Sequence, residues 1–163
     1  MNILKALHDG YDLLKSNKID SYKIDTELLL SHSLNISRER LILSFDEIIC
    51  TENYENFLSK LNRRQKKEPV AYIVNKKEFW RNKFYINKDV LIPRPETEFL
   101  VDESLKIISK NQKKKLLEIG IGSGCVITSI LKERKNCSAI GIDCCKKAIK
   151  IAQINAKLHH IEN

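Results

Sequence analysis

The chain has 163 residues, 42% of them hydrophobic and 31% charged, with a net charge of +8. That mix is globular rather than disordered, and the length suits one ordinary domain or two small ones. No run approaches the about 20 apolar residues of a membrane span, and His8 and Asp9 interrupt the first apolar residues too early for a secretory signal. Five cysteines form no framework spacing, and Cys144 and Cys145 are adjacent. They read as reduced thiols in a cytosolic protein. With no C-x-x-C or H-x-x-x-H spacing, no metal site is expected.

Residues 1–68 read as short amphipathic helices. Leu4, Leu7, Tyr11 and Leu14 fall at helical spacing. Ile24, Leu28 and Leu29 recur in a second segment with Asp20 or Ser21 as cap. Ser37 caps a third helix through Leu41, and Thr51 a fourth striped by Tyr54, Phe57, Leu58 and Leu61. Such helices make a small bundle. From Pro69 the pattern changes. Val70–Val74, Glu78–Trp80 and Phe84–Ile86 are β-prone, and Asn75–Lys77 is the expected turn of a hairpin across 69–89. Residues 61–88 carry nine Lys or Arg against Glu68 and Glu78. That patch can attract nucleic acid or an acidic protein, or be a solvated surface.

Pro93-Arg94-Pro95 is stiff and non-helical, and a helix follows with Glu96 and Glu98 near its start, where the helix dipole favours acids. Leu116–Ile119 is a strand that runs into Gly120-Ile121-Gly122-Ser123-Gly124. Ser138–Ile142 is a second strand, with a helix behind each. This alternation is the opening half of a doubly wound parallel sheet, over residues 90–163. Both strands read as apolar on their two faces.

The glycine turn permits backbone torsions that other residues resist and lets a ligand approach the main chain. Cys125 stands where a dinucleotide fingerprint needs its third glycine, so the pattern suits a ligand without a pyrophosphate. S-adenosylmethionine (AdoMet) is the candidate. Its carboxylate would meet amides at the start of the following helix. Asp143, 23 residues after Gly120, ends the second strand, as an acid gripping ribose hydroxyls would. The candidate cofactor residues are therefore Gly120, Ile121, Gly122, Ser123, Gly124 and Asp143. Ser123 can donate to the ligand or cap the helix. Glu118 can hold the ligand's amino group or orient the loop.

Four segments together resemble the release factor N5-glutamine methyltransferases, the HemK-type family. They are Asp25-Thr26-Glu27-Leu28-Leu29-Leu30, Glu68–Ile73 through Glu78-Phe79-Trp80, Ile92-Pro93-Arg94-Pro95-Glu96-Thr97-Glu98, and Glu118–Gly124 with Asp143. The resemblance implies a Rossmann-like, cytoplasmic, AdoMet-dependent enzyme. Its substrate would be the glutamine amide in the Gly-Gly-Gln loop of peptide chain release factors, with the helical domain helping to recognise them. It also implies an Asn-Pro-Pro-Tyr motif that holds the acceptor amide. No Asn-Pro pair occurs in these 163 residues, so no catalytic residue is assigned. The chain is expected to be an N-terminal portion, inactive alone and weakly folded in its second half. Two other readings stand beside this one. The basic segment suggests an RNA or DNA methyltransferase of the same superfamily, against which the Pro-Arg-Pro-Glu-Thr-Glu block argues. The missing motif suggests a non-catalytic module that binds a protein.

Overall fold

The computed structural model describes residues 1–161. The chain is mixed α/β and divides into two compact units, Met1–Val74 and Asn75–Asn163.

The first unit is all helical: α1 (Ile3–Ser16), α2 (Tyr22–Leu34), α3 (Arg38–Ile42), α4 (Thr51–Gln65) and α5 (Val70–Ile73). The Asn2 side chain caps α1 by accepting from the Lys5 amide at 3.0 Å, and Ser37 caps α3 by accepting from Arg40. At α4 the cap position is Cys50, one residue before the expected Thr51, and no side chain bonds there. Ile3, Leu7, Leu14, Leu29, Leu30, Phe57 and Leu61 fill the core, whereas Ile24 and Leu28 of the predicted stripe lie largely exposed. Gly10 lets α1 approach α2. A Cβ there would stand 2.5 Å from the Thr26 methyl.

Polar groups set the helix register. Asp25, nearly buried, accepts from Arg64 Nε at 2.8 Å and from Ser21 Oγ at 2.6 Å. Glu27 accepts from Tyr11 Oη at 2.9 Å and from Arg38 Nε at 2.6 Å. Burial, then this bond to Glu27, push the Tyr11 phenol up to about 12.

Val70–Ile73 is a turn of helix, not the expected strand. A strand needs a partner for its amides, whereas here Tyr72 N and Ile73 N bond back to the Pro69 carbonyl and Ile73 enters the bundle core. Arg63 closes the helix end, donating to the Tyr72 and Ile73 carbonyls at 3.4 Å while it pairs with Glu68.

The second unit begins with a hairpin, β1 (Lys76–Phe79) against β2 (Asn82–Tyr85). Its turn is Trp80-Arg81, not Asn75–Lys77. Both turn residues have positive φ, 44° and 61°, as a two-residue hairpin turn of matching twist requires. Side chains hold this unfavourable conformation: Glu98 accepts from Trp80 N at 2.9 Å, and Asn82 Nδ2 donates to the Trp80 carbonyl. A 3-10 turn at Pro95–Thr97 leads into α6 (Glu98–Ile107). Then come β3 (Lys115–Ile119), α7 (Cys125–Glu133), β4 (Ser138–Ile142) and α8 (Lys146–Leu158).

Strands β3 and β4 pair in parallel, with Leu117 opposite Ile140 and Ile119 opposite Ile142, and α7 is the crossover between them. Leu116 and Ala139 pack on a core of Phe79, Phe84, Val101, Ile127, Ile130 and Leu131. The other sheet face presents Leu117, Ile119, Ile140 and Ile142, all exposed. The strands are thus not wholly apolar on both faces: Glu118 alternates onto the inner one. Trp80 packs on this second core.

Breaking the Asp25–Arg64 pair leaves a nearly buried carboxylate without its cation. Arg64→Ala should cost about 3 kcal/mol or more of unfolding free energy. Arg40→Ala, which removes the exposed pair with Glu47, should cost less than about 1 kcal/mol. Urea denaturation of the whole protein measures both. Equal losses would show that the Asp25 pair counts for no more than a surface contact.

Candidate functional site: the glycine loop

The loop after β3 is shaped by three glycines in the left-handed region: Gly120 at φ 76°, Gly122 at 53° and Gly124 at 74°. Their requirements differ. A Cβ on Gly120 would meet nothing within 4 Å, so this side of the loop is open to a ligand. A Cβ on Gly124 would stand 3.1 Å from the Ala152 Cβ, so that glycine also lets the loop rest on α8.

The loop hangs on the end of β4. The Ile142 carbonyl accepts from both Gly120 N at 2.8 Å and Ile121 N at 3.0 Å, and Gly124 N turns back to the Ile121 carbonyl. Asp143 completes the tie. Its Oδ2 accepts from Gly122 N and its Oδ1 from Cys145 N, both at 2.9 Å. The amides of Cys145 and Gly122 hold this carboxyl below its ordinary range, so it is ionised near neutral pH. Each oxygen keeps a lone pair for a further donor.

An open cleft of about 390 Å³ lies at the strand ends, lined by Ile119, Gly120, Ile142, Asp143 and Cys144. The structure therefore gathers Gly120, Gly122 and Asp143 at one place. Ile121 turns inward over Gly141, where a Cβ would come within 2.0 Å of the Ile121 Cδ1. Ser123 and Gly124 are buried. Sequence reasoning passed over Ile119, Ile142 and Cys144 as lining residues. The apolar strand ends beside the turn were the available signal.

Glu118 orients the helix behind the loop. Its Oε2 accepts from Ile127 N at 3.1 Å in the first turn of α7. One amide expected to receive a ligand carboxylate is thus already taken. Burial pushes the Glu118 carboxyl up to about 7. The Cys125 thiol, also buried, rises to about 11 and stays protonated, which leaves it no nucleophile.

Elsewhere, part of the basic segment is used inside the first unit, where Arg63 pairs with Glu68 and Arg64 with Asp25. Among the described residues no three His, Cys, Asp or Glu side chains gather as a metal site needs, and no helix is long and apolar enough to cross a membrane.

Residues 5–74 match the PrmC N-terminal domain. The release factor glutamine methyltransferase of Coxiella burnetii is 43% identical over 142 residues, covering 86% of this chain and 51% of the relative. Those of Caulobacter vibrioides and of Buchnera aphidicola from Acyrthosiphon pisum are 34% and 38% identical, covering 96% and 100% of this chain and 54% and 58% of the relatives. The chain thus spans about half the length of the curated relatives it matches. The chain is thus similar to the release factor glutamine methyltransferases, and its residues 5–74 match the PrmC N-terminal domain.

Proposed function

We propose that Gly120, Ile121, Gly122, Ser123, Gly124 and Asp143 form an AdoMet site, in a protein that methylates the side-chain amide of the release factor glutamine. The observation that carries the site is the ionised Asp143 clamped to Gly122 N at the lip of an open, Cβ-free loop. The donor set fits the cofactor: Asp143 retains acceptor capacity for vicinal hydroxyls, and Ile119 and Ile142 offer apolar walls for a flat base. When bound, AdoMet supplies an electrophilic methyl on a sulfonium. The chain's own residues position it. Asp143 orients the ribose, Gly120 and Gly122 give the backbone close approach, and Glu118 fixes the start of α7. Orientation of this kind provides a large share of catalysis when the acceptor is a weak amide nucleophile.

The reading extends to the rest of the protein. Residues 1–74 act as the release factor recognition domain, and the β1–β2 hairpin opens the methyltransferase part. Residues 90–163 are part of a Rossmann-like methyltransferase sheet in a cytoplasmic enzyme. The groups that hold the acceptor amide lie outside these residues, which contain no Asn-Pro-Pro-Tyr. The names of the relatives and the PrmC N-terminal match favour a release factor over nucleic acid as substrate, and so does the internal pairing of Arg63 and Arg64.

Asp143→Ala removes a charged acceptor, a loss of ~1.5–3 kcal/mol, so AdoMet affinity should fall roughly ten- to a hundred-fold. Unchanged affinity by calorimetry would remove Asp143 from the site.

Glu118 gives a pH signature. Its folded value of about 7 lies above the ordinary 4.5, so folding favours the protonated acid. Its stabilising contribution is complete below pH 4.5 and is lost as pH rises through about 7. Glu118→Gln should therefore raise the melting temperature at pH 8 by roughly 5 °C and change little at low pH. A gain that does not depend on pH would mean that Glu118 ionises normally in the fold.

The substrate is tested with labelled AdoMet. The 163 residues alone should leave release factor unlabelled. Joined to the part of the Coxiella burnetii relative beyond the match, they should label it, and label tRNA and DNA far less. Label in nucleic acid but not in release factor would replace this reading with the nucleic-acid one.

A further inference from the structure

We infer that Asn155 is a positioning residue for the glycine loop. Its side-chain amide ties the Ser123 carbonyl and both main-chain groups of Tyr85 into one junction. The role rests on the reading of the loop as the AdoMet site. Asn155 lies on α8 and is fully buried. Its Oδ1 accepts from Tyr85 N at 2.7 Å. Its Nδ2 donates to the Tyr85 carbonyl and to the Ser123 carbonyl, each at 2.8 Å. Both donors and the carbonyl oxygen are therefore engaged.

The geometry explains why an amide stands there. The paired bonds to Tyr85 reproduce the two-bond exchange of an antiparallel neighbour, so the side chain acts as a one-residue strand on the free edge of β2. The remaining N–H reaches the loop. One helical turn earlier Ala152 lies under Gly124, so α8 touches the loop at two successive residues. Farther along, His159 Nε2 donates to the Lys83 carbonyl at 3.0 Å and its ring lies 4.6 Å from that of Phe84. Helix α8 thus grips β2 at Lys83, Phe84 and Tyr85, and Asn155 passes that grip on to the loop. No apolar residue could satisfy these three main-chain groups at once, and a main-chain group shielded from water without a partner is costly. Asn155 does not line the cleft. It acts through the Ser123 carbonyl.

The test uses the 163-residue chain. Asn155→Asp keeps the shape and the acceptor for Tyr85 N but loses both donors. Val101→Ala, on α6 in the same core, supplies a destabilised control. Amide hydrogen exchange at Gly122 and Gly124 is read without ligand, at temperatures equally far below each variant's melting point, and AdoMet affinity is read by calorimetry. Asn155→Asp should exchange these amides about tenfold faster than Val101→Ala and weaken AdoMet about tenfold, with little loss in the control. Asn155→Ser, whose hydroxyl cannot reach both strand and loop, replaces it if the aspartate variant does not fold. Equal exchange in the two variants at matched stability would overturn the inference and leave Asn155 a core residue. If the unmodified protein binds no AdoMet, the cofactor reading falls, and the exchange comparison still decides the positioning role.

Discussion

The parallel pairing of β3 and β4 in one register is the constraint on which the site depends. With Ile119 opposite Ile142, the two strands end level, and the turn that leaves one meets the turn that leaves the other. Only then can the Ile142 carbonyl take two amides of the glycine loop and the Asp143 carboxylate take a third. A slip of one residue would carry Asp143 away from Gly122 and turn Glu118 outward. The inner face resists such a slip. Gly141 leaves a slot that Ile121 fills, and Glu118 is engaged by α7.

The two units reach fixed geometry by different means. In the bundle, charged side chains define how the helices meet: Asp25 joins α2 to α4 through Arg64, and Glu27 joins α2 to α1 and to α3. The Asp25-Thr26-Glu27 run is therefore structural. Its residues hold Arg64, pack on Gly10, and hold Tyr11 with Arg38. In the second unit buried Arg134 joins the end of α7 to the Leu105 and Ile108 carbonyls at the end of α6, and neutral amides do similar work elsewhere. Asn155 and Asn82 satisfy backbone where no strand or helix can, and carboxylates appear where amides point outward at element ends, as with Glu98 at Trp80 and Asp143 at Cys145.

This difference decides what could be read from the sequence. The glycine loop and Asp143 were legible because their spacing is local to two strands. Ser37 was legible as a cap because capping is settled within one turn. Val70–Ile73 was misread because β-propensity is weak when no neighbouring strand is available. The Trp80-Arg81 turn was hidden because neither residue favours positive φ, and one of the two side chains that hold it is Glu98, 18 residues on. Glu118 showed only as a glutamate before a glycine turn. Its bond to α7 depends on how the helix folds back. Asn155, 70 residues from Tyr85, gave no sequence signal at all. Contacts that cross between elements are where pattern reading ran out.

The uncovered sheet face bears on the site itself. Ile119 and Ile142 belong both to that face and to the lining of the cleft, and they are 77% and 45% exposed. Parallel strands ordinarily bury both faces, and here α7 and the core cover the one that carries Leu116 and Ala139. The polar half of the cleft, Gly120 and Asp143, is fixed by hydrogen bonds that exist in the fold as described. The apolar half is two side chains standing in solvent. Such a cleft can orient hydroxyls through a preset acid, but a flat base on Ile119 and Ile142 would keep much of its surface wet. Whatever covers Leu117 and Ile140 would also reach the walls at Ile119 and Ile142. Closing the sheet and strengthening the apolar part of the site are therefore one physical event.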